Sequence, residues 1–250
     1  MEKIRVVIAD DDSIVVQGLT MILGSQADID IVGVASNGLD AVRLCKEHLP
    51  DVAVLDIRMN DKTNNSFSYA TNATNSIDGI EAAAEILKIS NPDAQSDNQI
   101  APILLTTFDE PELIRRALDV GARGYILKNS PAERIISAVR TVAQGGVVFA
   151  PDVVEFIRTH IVAVRHAGLS DESSNDATIK PAGSDVFSNL TTREQEIAEL
   201  IATGLSNAQI ASKLYLSNGT VRNHISTILE KLELEHRTQV AVMYYSGAHI

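Results

Sequence analysis

Over its first 145 residues the chain alternates short apolar runs with amphipathic helical stretches, five times in succession. The runs Ile4–Ala9, Ile29–Ala35, Val52–Ile57, Ile103–Phe108 and Gly124–Lys128 have the length and β-branched content of buried strands. The stretches Ile14–Leu23, Ala41–His48, Gly79–Ile89, Pro111–Val120 and Pro131–Ala143 carry apolar residues at helical spacing. Ser130-Pro131-Ala132-Glu133 reads as a capping box with proline at the first helical position, and Asp109-Glu110-Pro111-Glu112 reads similarly. Five strand-then-helix units predict an α/β doubly wound, five-stranded parallel sheet with helices on both faces.

In such a sheet, ligands bind beyond the carboxyl ends of the strands. Four strands here bring polar residues to that edge: Asp10-Asp11-Asp12, Asp56, Thr106-Thr107 and Lys128. Singly they have ordinary readings. Asp12 or Ser13 can cap the first helix, Lys128 can be a solvated strand end, and Thr106 a plain β-former. At four strand ends together they describe a site. Clustered carboxylates repel one another, and a hard divalent cation such as Mg²⁺ relieves that cost. A carboxylate facing the cation can attack a phosphoryl group and hold it as an acyl phosphate. Lysine and threonine can then neutralise and hydrogen-bond the phosphoryl oxygens.

Two polar stretches interrupt the rhythm, 60–77 (NDKTNNSFSYATNATNSI) and 91–99 (NPDAQSDNQ), and both read as solvated loops. A short helical segment, Pro151–Val164, follows Gly145-Gly146, and His166–Ser188 reads as a flexible linker. From Leu190 the pattern is wholly helical. Thr191-Thr192-Arg193-Glu194 and Ser206-Asn207-Ala208-Gln209 are capping boxes, Gly204 is a helix-ending glycine, and Ser217 is an N-cap. The short turn Tyr215-Leu216-Ser217 gives helix-turn-helix spacing. With Val221 and Ile225 turned inward, the following helix presents Thr220, Arg222, Asn223, Ser226 and Thr227 outward. Such a face can read bases and phosphates. A protein-binding three-helix module has the same periodicity.

Charge refines both readings. The net charge is −12. Residues 1–150 hold 13 Lys/Arg against 21 Asp/Glu, whereas 190–250 hold 5 against 6. Any DNA binding by the last segment must come from geometry and subunit pairing, not from a strongly basic surface. The single cysteine, Cys45, excludes an intrachain disulfide framework and fits a cytoplasmic location. No apolar run reaches the roughly 20 residues needed to span a bilayer, and the first residues carry no signal-peptide pattern, so no membrane association is expected.

Residues 1–145 resemble a receiver domain, on the pair Asp10-Asp11, Asp56 in DVAVLDIRM, Thr106, and Tyr125 and Lys128 in GARGYILK. The resemblance implies a flavodoxin-like fold, phosphorylation at Asp56, and Mg²⁺ held directly by Asp11, Asp56 and the backbone carbonyl of Arg58, with Asp10 acting through water. It makes Thr106, Tyr125 and Lys128 the switch residues. One departure stands out. Receivers run from the phosphoacceptor through a proline to an Asp-Gly pair in under ten residues. Here Asp56 to Asp78 spans 78 − 56 = 22, and Asn60 stands at the proline's place. The extra residues are either a tolerated surface insert or a partial lid over Asp56.

Leu190–Val242 resembles the LuxR-type helix-turn-helix domain, through LTTREQEIAELIATGLSNAQIASKLYLSNGTVRNHISTILEKLE and then RTQVAV. The whole chain is thus similar to NarL/FixJ-type response regulators of two-component systems. The resemblance implies a receiver at 1–146 with its insert at 60–77, a linker with a short helix at 147–189, and a DNA-binding domain at 190–250. It implies DNA contact through Ser217, Thr220, Arg222, Asn223 and Ser226, and dimerisation through Thr238, Val242 and Tyr245. The implied partners are a sensor histidine kinase, double-stranded promoter DNA, a second copy of the chain when phosphorylated, and RNA polymerase. The rival, a phosphohydrolase using Asp56, is disfavoured because such enzymes keep an acid two residues after the nucleophile, where Arg58 stands; no enzyme activity is expected.

Overall fold

The computed structural model describes residues 3–59, 77–89, 100–107, 111–157, 159 and 187–246. They fall into two compact units, Met1–Ala143 and Gln144–Ile250. The insert apart from Ile77, the polar stretch 91–99 and most of the linker lie outside the described residues.

The first unit is built as the alternation predicts. In chain order it contains β1 (Ile4–Ala9), α1 (Ser13–Gly24), β2 (Ile29–Ala35), α2 (Gly38–His48), β3 (Val52–Asp56) and α3 (Gly79–Leu87). After these come β4 (Ala101–Thr106), α4 (Pro111–Asp119), β5 (Gly124–Leu127) and α5 (Ala132–Ala143). The strands run parallel in the order β2-β1-β3-β4-β5. Every residue of β3 and β4 is buried, as expected of central strands covered on both faces. Asp12 caps α1, its side chain accepting from the Ile14 N–H at 2.8 Å. The fifth helix starts at Ala132, with the N–H groups of Arg134 and Ile135 both bonded to the Pro131 carbonyl, so proline stands one residue earlier than the capping pattern suggests.

The third helix explains how the chain absorbs the extra residues. Asp78 caps α3 in a reciprocal box with Glu81. Gly79 N–H bonds the Ile57 carbonyl at 3.0 Å. The chain therefore leaves β3 at Ile57 and returns to it at Gly79. A Cβ at Gly79 would stand 1.9 Å from the Asp56 carbonyl oxygen, which is why glycine is required there.

The second unit opens with a strand the sequence reading does not contain, the two-residue β6 (Val148–Phe149), too short to show a period. Next is α6 (Pro151–Phe156), the start of the segment expected to run to Val164. Then come α7 (Thr192–Ala202), α8 (Asn207–Leu214), α9 (Asn218–Lys231) and α10 (Arg237–Ser246). Both expected capping boxes form, Thr191 with Glu194 and Ser206 with Gln209, and Ser217 caps α9. Gly204 ends α7 at φ 86°, with its N–H on the Ile201 carbonyl. Ile197, Ile201, Ile210, Val221, Ile225, Ile228, Val240 and Met243 share one core.

An ion pair between the buried Glu194 and the more exposed Lys231 ties α9 to α7. The Lys231 ammonium lies 2.7 and 2.9 Å from the two Glu194 carboxylate oxygens. Burial by itself raises the Glu194 carboxyl; Lys231 and the Thr191 N–H and hydroxyl outweigh it and leave that group below the usual carboxylate range.

Candidate phosphoacceptor pocket and nucleic-acid interface

Strand register places the acidic residues. Ala9 lies opposite Leu55, Asp56 opposite Leu105, and Thr106 opposite Leu127. Asp10, Asp56, Thr106 and Lys128 consequently emerge at one edge of the sheet, at its carboxyl end. Between β1 and β3 the connections diverge, which opens a crevice at that point. The resulting cavity has a volume of about 280 Å³ and is lined by Asp11, Asp12, Asp56, Ile57, Arg58, Thr106, Thr107 and Lys128.

The carboxylates of Asp10, Asp11 and Asp56 each place an oxygen within 4.8 Å of the others. Asp10 and Asp56 are buried, while Asp11 is half-buried. The Lys128 ammonium bridges the buried pair, 2.8 Å from Asp10 and 2.9 Å from Asp56. With Asp12 and Arg58 of the lining included, four carboxylates face two cations, which leaves the pocket negative. Burial pushes the Asp56 carboxyl above the usual carboxylate range and the Asp10 charge adds to this, with Lys128 and the Arg58 backbone opposing. The Lys128 ammonium moves upward: burial lowers it, but its bonds to Asp10 and Asp56 prevail. An all-oxygen donor set with surplus negative charge and open space matches what a small divalent cation requires. Thr106 lines the cavity and is buried.

Tyr125 does not face the pocket's solvent. Its ring is buried and its hydroxyl donates to the Ala117 carbonyl of α4. Burial, aided by the Asp119 charge, holds its phenol well above the usual value. The sequence reading missed the close seat of Gly79 on Asp56 and the bond from Arg116 to Asp78 at 3.1 Å. The displaced Asp78-Gly79 pair was the available clue.

On α9, Val221 and Ile225 are buried as the spacing requires. Ser217, Asn223 and Ser226 are exposed, and Thr220 and Arg222 are half-buried. Ser217 is also committed to its cap, accepting from the Thr220 N–H at 3.0 Å and sharing a 2.8 Å hydroxyl contact with Thr220. The three residues assigned to dimerisation are not presented outward. Thr238 and Val242 are buried, and the Tyr245 hydroxyl donates to the Ala202 carbonyl at 2.7 Å. This helix packs chiefly on α7, and the N-terminal part of the same unit touches it at both ends. Arg237 donates to the Gly145 carbonyl, and the Phe149 ring meets Tyr245 edge-on at 6.3 Å.

Comparisons with known proteins find relatives for both halves of the chain. The family described as "Response regulator receiver domain" matches residues 6–68, ending inside the insert, and "Bacterial regulatory proteins, luxR family" matches residues 188–244. The transcriptional regulatory protein DesR of Bacillus subtilis is 33% identical over 239 residues, covering 94% of each chain. The response regulator protein VraR of Staphylococcus aureus is 34% identical over 241 residues, covering 96% of this chain and 95% of that one. The RcsB response regulator of Salmonella typhimurium superposes with a TM-score of 0.51 at 20% identity, over 96% of this chain and 97% of that one, which supports the fold. The chain belongs to the LuxR-type family of two-component response regulators, with a receiver domain followed by a DNA-binding helix-turn-helix domain.

Proposed function

We propose that Asp56 is the phosphoacceptor and that its phosphorylation by a sensor histidine kinase promotes dimerisation and promoter binding. The observation carrying this is the buried Asp56 carboxylate at a strand end, bridged by Lys128 to Asp10 beside an open cavity. A carboxylate oxygen of Asp56 attacks the phosphorus of a phosphohistidine, the P–N bond breaks, and the imidazole leaves. Lys128 gives up one carboxylate contact and takes a phosphoryl oxygen, and the Thr106 hydroxyl donates to another. Asp10, Asp11, Asp56 and the Arg58 carbonyl would hold Mg²⁺, whose charge neutralises the oxygens in transfer. The rearrangement of Thr106 reaches the outer face through Tyr125 and its bond to α4.

In this reading the receiver spans 1–146, the linker 147–189 and the DNA-binding domain 190–250. The protein is a cytoplasmic transcription factor without enzyme activity of its own, and RNA polymerase is a further partner. It fits this reading that no described helix is long and apolar enough to cross a membrane. Ser217, Thr220, Arg222, Asn223 and Ser226 face the major groove of double-stranded DNA. Pairing through Thr238, Val242 and Tyr245 requires the segment around Gly145–Phe149 to leave α10, and phosphorylation favours that uncovered state. Two recognition helices then reach half-sites about 10 base pairs apart, and the second contact becomes intramolecular. The test is Mg²⁺-dependent labelling by a small phosphodonor, with sedimentation mass and DNA affinity read on the same samples. Asp56→Asn should take up no stable label, and tight DNA binding by an unphosphorylated monomer would sink the mechanism.

A further inference from the structure

Tyr215 lies in the turn between α8 and α9. Its side chain is 95% exposed, more than any other large apolar side chain among the described residues. Its backbone is nevertheless left-handed, at φ 57° and ψ 41°, where glycine or asparagine sits at lower cost. The turn demands that conformation: the Tyr215 and Leu216 N–H groups both close on the Ala211 carbonyl before the chain enters α9. Two other non-glycine residues share a positive φ, and each has a compensation. Leu49 is half-buried, and Glu233 is a charged side chain in water. Tyr215 has neither. Its ring covers nothing, and its hydroxyl has no partner among the described residues. A bulky side chain kept in a strained backbone without gain to the fold points to a contact made outside the chain.

Its place identifies the contact. Tyr215 precedes by two residues Ser217, the exposed cap of α9, so the phenol stands beside the leading end of the helix that reads DNA. The surrounding segment, 190–250, holds five Lys/Arg against six Asp/Glu, and so the phosphate backbone must be gripped largely by neutral donors. We propose that Tyr215 donates its hydroxyl to a DNA backbone phosphate at the rim of the groove entered by α9. The inference rests on the reading of α9 as the recognition helix.

The test uses the full phosphorylated chain and two duplexes of equal length, one selected from a random pool by the wild-type protein and one unrelated. Tyr215→Phe should weaken binding to both about 3- to 10-fold, the worth of one hydrogen bond. The slope of log affinity against log salt should not change, because no charge is lost. Tyr215→Gly should weaken binding at least as much while melting no lower than wild type, since it relieves the left-handed residue. Arg222→Ala, measured alongside, should weaken the selected duplex more than the unrelated one and flatten the salt slope. If Arg222→Ala binds like wild type, the reading of α9 itself fails. If it weakens binding while Tyr215→Phe does not, the phosphate contact alone is overturned. Unchanged DNA affinity with lost transcription by purified RNA polymerase would also overturn it, by making Tyr215 a protein contact.

Discussion

Replacing Gly79 with alanine tests how tightly α3 is fastened to the phosphoacceptor strand. The new Cβ would lie 1.9 Å from the Asp56 carbonyl oxygen, 2.8 Å from its carbon and 3.0 Å from the Ile57 Cα. A carbon and a carbonyl oxygen settle at about 3.3 Å or more, so roughly 1.4 Å must be found. All three neighbours are backbone atoms, and none can rotate aside. Either the start of α3 retreats, breaking the Gly79 bond to Ile57, or the end of β3 moves and takes Asp56 with it. Overpacking costs about 1–3 kcal/mol and a lost hydrogen bond about 1, which together give about 2–4 kcal/mol here. For a unit of this size that lowers Tm by about 6–15 °C. If β3 yields, displacement of Asp56 from Lys128 slows phosphodonor labelling by up to about 10²-fold. Gly18→Ala in α1 is the control: nothing lies within 4 Å of its added Cβ, and helix propensity predicts a gain of about 1 kcal/mol. Calorimetric melting and labelling rates of both full-length variants decide the matter. A Gly79→Ala protein that melts and labels like wild type would refute the reasoning.

Glu194→Gln keeps an acceptor for the Thr191 N–H but removes the charge facing Lys231, and should cost about 1–2 kcal/mol because the Lys231 side chain remains 35% exposed. Since the Glu194 carboxyl lies below its ordinary value, the wild-type advantage is present above the ordinary carboxylate range and fades as pH falls through the folded value; a Tm difference independent of pH would contradict this. Cys45 is wholly buried and its thiol is pushed up to about 12, so thiol reagents should modify it only as fast as the protein unfolds, and prompt labelling of the folded chain would count against that burial. Arg237 donates to the Asn207 side chain at 3.0 Å and the Leu205 carbonyl at 2.9 Å as well as to Gly145. Arg237→Ala should lose about 2–3 kcal/mol and speed proteolysis near residue 145, and Arg237→Lys should not rescue it, because an ammonium lacks the planar fork; full rescue by lysine would show that charge alone matters.

Much of this was readable locally. Strand and helix periods, the caps at Thr191, Ser206 and Ser217, and the glycine ending α7 depend on neighbours within a few residues, so the amino-acid order determines them directly. The meeting of Asp10, Asp56, Thr106 and Lys128 was legible for a related reason. Parallel strands share one carboxyl edge, so residues ending such strands converge even when a hundred positions separate them. Strand order and register were not legible, and they decide that Lys128 bridges Asp10 and Asp56. The return of Gly79 to Asp56 across a 23-residue separation, and the inward turn of Tyr125 onto Ala117, are likewise products of packing. The last helix shows the limit most clearly. Its sequence specifies a helix with an apolar side, but an apolar side is satisfied equally by a second subunit or by the chain's own helices. Only the tertiary structure chose, burying Thr238 and Val242 within the chain, because burial depends on which surface arrives and not on the residues being covered.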